Sequence, residues 1–158
     1  GWLSFSSDRR PRIAMDTEAP GKPAVIDVND ARDFNIEVKG SYVIIRGLTL
    51  RGARKDAIRL AKTGTVTNVV IEDNDIRYSS CVGITLGKYG DELDNTSEDT
   101  AEGYIQTIER ALRNGWSGDH VGHHVVRHNE VAHCEQAGIV GSLGAIFSRI
   151  VGNQIHDI

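Results

Sequence analysis

All six histidines of this chain fall between positions 120 and 156: His120, His123, His124, His128, His133 and His156. The preceding 119 residues contain none. Histidine is the side chain best suited to moving protons near neutral pH. Glu135 follows His133 by two residues and shares its face if the segment is extended. Aligned by the repeat described below, Tyr78, His133 and Asp157 occupy one column, one residue per coil, about 4.8 Å apart. A Tyr/His/acid group on consecutive coils is able to abstract a proton or to protonate a leaving oxygen. Asp119 and His120 stand where an inserted segment returns, so they are placed to face the same cleft. The candidate catalytic residues are therefore His133, Glu135, Asp119, His120 and Tyr78. Their competing role is structural, as turn residues bonding backbone at solenoid corners.

Asp119-His120-x-x-His123-His124 has a spacing known from metal ligands, since His120 and His124 would share a helix face. Gly115, Gly118 and Gly122 argue against a helix there, and no Glu follows His120 as in metalloproteases. No metal is expected. Asp91-Glu92-Leu93-Asp94, with Glu98 and Asp99 beyond, offers the hard oxygen ligands that calcium takes. It lacks the order of a dedicated calcium loop, so a solvated acidic turn is the reading and no cofactor is required. Gly141-Ser-Leu-Gly144 is not a nucleophile elbow.

The elements that must position these side chains come from an internal repeat. Val43-Ile-Ile-Arg-Gly-Leu-Thr-Leu50, Val69-Val-Ile-Glu-Asp-Asn-Asp-Ile76, His124-Val-Val-Arg-His-Asn-Glu-Val131 and Ser148-Arg-Ile-Val-Gly-Asn-Gln-Ile155 share the frame apolar-x-x-Asn-x-apolar. Asn74, Asn129 and Asn153 hold the Asn position, and Leu48 holds it in the first copy. Eight residues after Leu50, Ile76 and Val131 stand Ile58, Ile84 and Ile139. The steps are 26, 55 and 24 residues, the long one being a coil plus an insertion. Short Val/Ile runs between Gly, Asn and Asp are strand signals. Strands this short bury their faces by stacking on equivalent strands of the next coil. Leucine-rich spacing is absent. Asn suits the tight bends because it bonds locally and accepts left-handed geometry. In this frame Arg46, Glu72 and Arg127 form an outward column of alternating charge.

Coils are expected at about 41–65, 66–86 and 121–145, with another beginning near 146. Pro23–Asp27 and Phe34–Val38 form earlier strands, with Asn29-Asp30 as a turn. Within the insertion, 87–120, Ala101, Tyr104, Ile105, Ile108, Ala111 and Leu112 share one helical face. A helix near 97–114 follows, with Ile105, Ile108 and Leu112 buried, Ser97 or Thr96 as N-cap and Asn114-Gly115 as its end. It should form one wall of a cleft.

The repeats resemble those of right-handed parallel β-helix (PbH1-type) proteins, the group that includes pectate lyases, polygalacturonases and bacterial glycoside hydrolases. The run from His133 to Asp157 is similar to central coils of large secreted bacterial members. The resemblance covers roughly residues 22 to 158. It implies an all-β, right-handed solenoid of about five coils with one helical insertion, forming a single, partial domain over 1–158. It also implies a carbohydrate-active enzyme in an extracellular or periplasmic setting. A glycoside hydrolase acting on a plant or algal polysaccharide is the first expectation. A polysaccharide lyase and a non-catalytic glycan-binding or surface protein are the alternatives. Partners would be a polysaccharide or oligosaccharide, and remaining coils of the same polypeptide if the chain is a fragment. The repeat is specific for fold and weak for chemistry.

Composition narrows the field in the same direction. A net charge of −4 leaves no nucleic-acid footprint. No run of 18 apolar residues exists to span a membrane. Aromatics are 6% of residues while glycines number 17, which favours many short turns over one aromatic core. Cys81 and Cys134 fall on neighbouring coils but two residues out of register, about 8 Å apart. Two small buried thiols are expected.

Overall fold

A computed structural model of the chain describes residues 24–27, 33–60, 66–88, 101–117, 121–141 and 143–158, with the backbone alone at 24–27 and 101–103. Among these described residues thirteen short strands form three sheets. Sheet A orders β1 (Ala24–Asp27), β4 (Leu48–Arg51), β7 (Asp75–Arg77), β10 (Glu130–Ala132) and β13 (Gln154–His156). Sheet B orders β2 (Ile36–Val38), β5 (Ile58–Leu60), β8 (Val82–Thr85) and β11 (Ala137–Val140). Sheet C orders β3 (Ile44–Arg46), β6 (Val70–Glu72), β9 (Val125–Arg127) and β12 (Arg149–Val151). Every pairing is parallel and every neighbour in a sheet is the equivalent strand of the next repeat. Three all-parallel sheets in common register are consistent with a parallel β-solenoid. No helix among the described residues is long and apolar enough to cross a membrane.

The register stacks like on like. Leu50, Ile76 and Val131 form one inward column, Ile36, Ile58 and Ile84 a second, and Ile45, Ile71 and Val126 a third. All nine are buried. Each stabilises the fold by roughly 1.5–3 kcal/mol on transfer grounds. Gly83 and Gly138 make room for this packing. A Cβ on Gly83 would lie 2.4 Å from Val131 Cγ1, and one on Gly138 would lie 2.5 Å from Ile155 Cγ2.

Among the described residues each repeat turns up to three corners, and each of these corners uses one residue in the left-handed region. Tyr42, Asn68, His123 and Phe147 precede sheet C; Gly47, Asp73, His128 and Gly152 link C to A; Gly52, Tyr78, His133 and Asp157 follow A. Their φ values run from 53° to 71°. Asn, Asp and His accept this geometry better than other non-glycine residues. The conformation keeps the ladder continuous around each bend. The corner N–H groups of Tyr42, Asn68, Asp73, His123, His128 and His133 each donate to a carbonyl of the following repeat, at 2.9–3.4 Å.

The predicted Asn column stands as an unbroken hydrogen-bonded ladder. Asn129 Oδ1 accepts from the Asn74 N–H (3.1 Å) and Nδ2 (2.9 Å), and Asn153 Oδ1 accepts from the Asn129 N–H (3.0 Å) and Nδ2 (2.9 Å). Leu48 supplies no rung, but its N–H is capped by Asn74 Oδ1 at 3.0 Å.

The insertion carries helix α1 (Ala101–Asn114), which ends at Gly115 with φ +83° and its N–H on the Ala111 carbonyl. The expected buried face is wrong. Ile105 is 51% and Leu112 77% exposed, and Ile108 is only half-buried, whereas Thr107 and Ala111 are buried. The expected caps at Thr96 and Ser97 and the acidic stretch 91–99 lie outside the described residues.

Candidate functional site

Sheet A's outer face and the corner after it gather the ionisable groups. Asp75 and Arg77 lie two residues apart on β7 and so point the same way. Arg77 Nε bonds Asp75 Oδ1 at 2.5 Å, and its Nη2 reaches Glu130 Oε1 on the next strand at 2.6 Å. Glu130 Oε1 also meets His156 Nε2 at 3.3 Å, while His156 Nδ1 meets Asp157 Oδ2 at 2.8 Å. The register explains the convergence. Ala132 sits between Arg77 and His156 in their column. Its small side chain leaves space for both long groups to turn toward Glu130.

The network biases its members. Hydrogen bonds that His156 donates to Asp157 and Glu130 raise its pKa. The same His156 contact lowers that of Asp157. The Asp75 hydrogen bond raises Arg77 further still. His156 is thus held toward its imidazolium form between two carboxylates.

His133 and Tyr78 meet as the repeat frame requires. Their rings stack with centroids 4.9 Å apart and planes 7° from parallel. Both are exposed and both occupy the left-handed corner after sheet A. The His133 N–H donates to the Asp157 carbonyl at 2.9 Å. Its ring nitrogens have no hydrogen-bond partner among the described residues. Val131 stays in the core, so the chain turns at His133 and releases that side chain outward. Glu135 is exposed, and its N–H donates to the Ser79 carbonyl at 3.1 Å. No hydrogen bond joins Glu135 to His133 among the described residues. Asp119 and His120 lie outside the described residues.

Sequence reasoning did not single out Glu130. The available signal was its register with Asp75, two positions from Arg77 and His156, on an outward-facing column. The Arg46–Glu72–Arg127 column does form ion pairs, with Arg127 Nε 2.5 Å from Glu72 Oε2 and Arg46 Nη2 on Glu72 Oε1. Glu72 is nevertheless buried, because the two guanidinium groups cover it. Burial raises its pKa, but the hydrogen bonds from Arg127 and Arg46 outweigh burial and leave it lowered. Cys81 and Cys134 are both free; Cys134 is buried and Cys81 half-buried. Burial first, then Asp56 and Glu135, push the Cys81 thiol up, which makes it a poor nucleophile.

Comparison with protein-family models, with curated proteins and with solved structures found no match.

Proposed function

We propose that this chain forms part of a secreted bacterial polysaccharide-degrading enzyme, a glycoside hydrolase built on a right-handed parallel β-helix of about five coils. Nearly all parallel crossovers are right-handed, which supports the hand. The observation that carries the functional reading is the His133 corner. An exposed imidazole, held by its stack on Tyr78 and with neither ring nitrogen bonded among the described residues, stands beside the Asp157–His156–Glu130 network. A fixed, unengaged proton carrier next to a carboxylate pair is the arrangement that acid–base cleavage of a glycosidic bond draws on. Glu135 is the further carboxylate on the same turn, and Asp119 with His120 completes the proposed set. The substrate is a plant or algal polysaccharide lying along the solenoid outside the cell or in the periplasm, and no cofactor is needed.

A lyase acting on uronates requires a cation to neutralise the sugar carboxylate. Arg77 is already held by Asp75 and Glu130, which weighs against that alternative. A glycan-binding role without catalysis is favoured by the exposed corner aromatics Tyr42, Tyr78 and Phe147. Two of these already stack on a histidine, Tyr78 on His133 and Phe147 on His123.

The test is incubation with a polysaccharide panel, read by new reducing ends and by ultraviolet absorbance of unsaturated products. Reducing ends without absorbance are expected. His133→Gly keeps the left-handed corner and should lower turnover at least ~100-fold. Unchanged turnover in that variant removes His133 from the site. Binding without cleavage assigns the protein to the glycan-binding class.

A further inference from the structure

The corner before sheet C carries a second polar ladder, and one of its rungs is a histidine. His124 is 1% exposed and precedes β9, in the column of Val43, Val69 and Ser148. Its Nδ1 accepts from the Val69 N–H at 3.2 Å, and its own N–H donates to Ser148 Oγ at 3.0 Å. Asn129 does the same work at the next corner, where Oδ1 accepts from the Asn74 N–H and the Asn129 N–H donates to the Asn153 side chain. An imidazole therefore stands where an amide would serve, and an imidazole titrates.

Because Nδ1 accepts, the ring proton sits on Nε2. That atom is buried, lies near the Gly144 carbonyl and has no hydrogen-bond partner of good geometry among the described residues. A second proton could go only on Nδ1, directly opposite the Val69 N–H. Two donors would then face each other across the seam between repeats.

We propose that His124 is an acid-sensitive rung: its protonation breaks the Val69–His124 bond and opens the seam between the repeat containing β6 and that containing β9. Val69, Ser148 and Gly144 bring no titratable side chain to the ring, and His123 beside it in sequence is the one ionisable group among the described residues acting on it. Among the described residues no carboxylate is there to compensate a charge. Burial, chiefly, lowers the pKa from 6.5 to about 4, with the Gly144 carbonyl opposing and His123 adding to the effect. A folded-state value below the unfolded one means that this group's contribution is complete above pH 6.5. It is lost as pH falls from 6.5 toward 4 and changes no further below that. The full span corresponds to ~300-fold in the folding equilibrium.

The experiment compares the protein with His124→Asn, which keeps a side-chain acceptor for Val69 but does not titrate. Protection factors of the Val69 amide and urea midpoints are measured from pH 7.5 to 4.5. Wild-type protection should fall relative to the variant by up to ~10-fold per pH unit below 6.5. Parallel pH profiles for the two proteins overturn the proposal. Should the variant fail to fold, nuclear magnetic resonance titration of the His124 ring in the wild type decides. A midpoint below about 5 supports the rung, and one near 6.5 overturns it.

Discussion

Replacing Asn129 by leucine, the residue that the first repeat carries in this column at Leu48, separates two views of the Asn ladder. Asn129 is 1% exposed, and its amide makes four hydrogen bonds. Two run to the Asn74 N–H and Nδ2, one to the Ile71 carbonyl at 3.0 Å and one to Asn153 Oδ1. In Asn129→Leu the Asn74 N–H loses its acceptor inside the protein, which alone costs about 1–3 kcal/mol. Asn74 Nδ2 keeps the Ile45 carbonyl at 3.1 Å, so its loss is the smaller part. The remaining bonds contribute ~0.5–1.5 kcal/mol each, and leucine burial returns some of this. A net destabilisation of about 2–4 kcal/mol is expected, or roughly 5–15 °C in melting temperature for a chain of this size. Asn153→Leu should cost about 1 kcal/mol, because Asn153 is only half-buried and water can replace its bonds. Urea titration followed by circular dichroism measures the total. Exchange of the Asn74 amide checks the site, which matters because solenoids can unfold in parts. If each Asn only shapes its own turn, the two variants will cost the same. Equal losses, or a loss under ~0.5 kcal/mol for Asn129→Leu, would refute the ladder argument.

Four further outcomes are expected. Gly122→Ala should cost at least ~3 kcal/mol by thermal melting, since φ is +76° and the new Cβ would lie 1.5 Å from the Ile146 carbonyl oxygen. Gly47→Asn should stay within ~0.5 kcal/mol, because its corner has open space and its column already holds Asp73 and His128. Glu72→Gln should cost about 1–2 kcal/mol at pH 7 and flatten the acid limb of a stability profile; the Glu72 pKa is lowered, so its contribution is present above about 4.5 and lost as pH falls through the folded value. His156 has the opposite sign: its raised pKa stabilises below 6.5, and that contribution is lost as pH rises through the folded value. A ring titration by nuclear magnetic resonance should place its midpoint above 6.5 and show a downward move in Glu130→Gln.

Much of the fold was legible because strands stacked in register repeat their constraints. A column such as Ile58–Ile84–Ile139 solves the same packing problem on each turn, so alignment exposes it. Asn74, Asn129 and Asn153 were readable for the same reason, since each caps the N–H of the repeat before it. Helix α1 repeats nothing. Its periodicity placed its C-terminal end at Asn114-Gly115 but not its buried face, since Thr107 and Ala111 are buried while the bulkier Ile105 and Leu112 stand exposed.

The histidines show why a cluster of one residue type is weak evidence for one site. His123, His128 and His133 are the three left-handed corners of a single repeat, a pattern concealed in the sequence because their columns also hold Tyr, Asn, Asp, Gly and Phe. His124 is a rung, and His156 is clamped between carboxylates. Residue type is shared by five positions, while the state of the ring nitrogens differs. Those of His124 face the core with Nδ1 consumed, and those of His156 are bound on both sides. Those of His133 are exposed, aligned by Tyr78 and without a partner among the described residues. Catalysis requires a nitrogen that is positioned but not yet engaged. By that criterion His133 is set apart from the buried rung and the clamped ring for a physical reason, although all three arose from the same crowded stretch of chain.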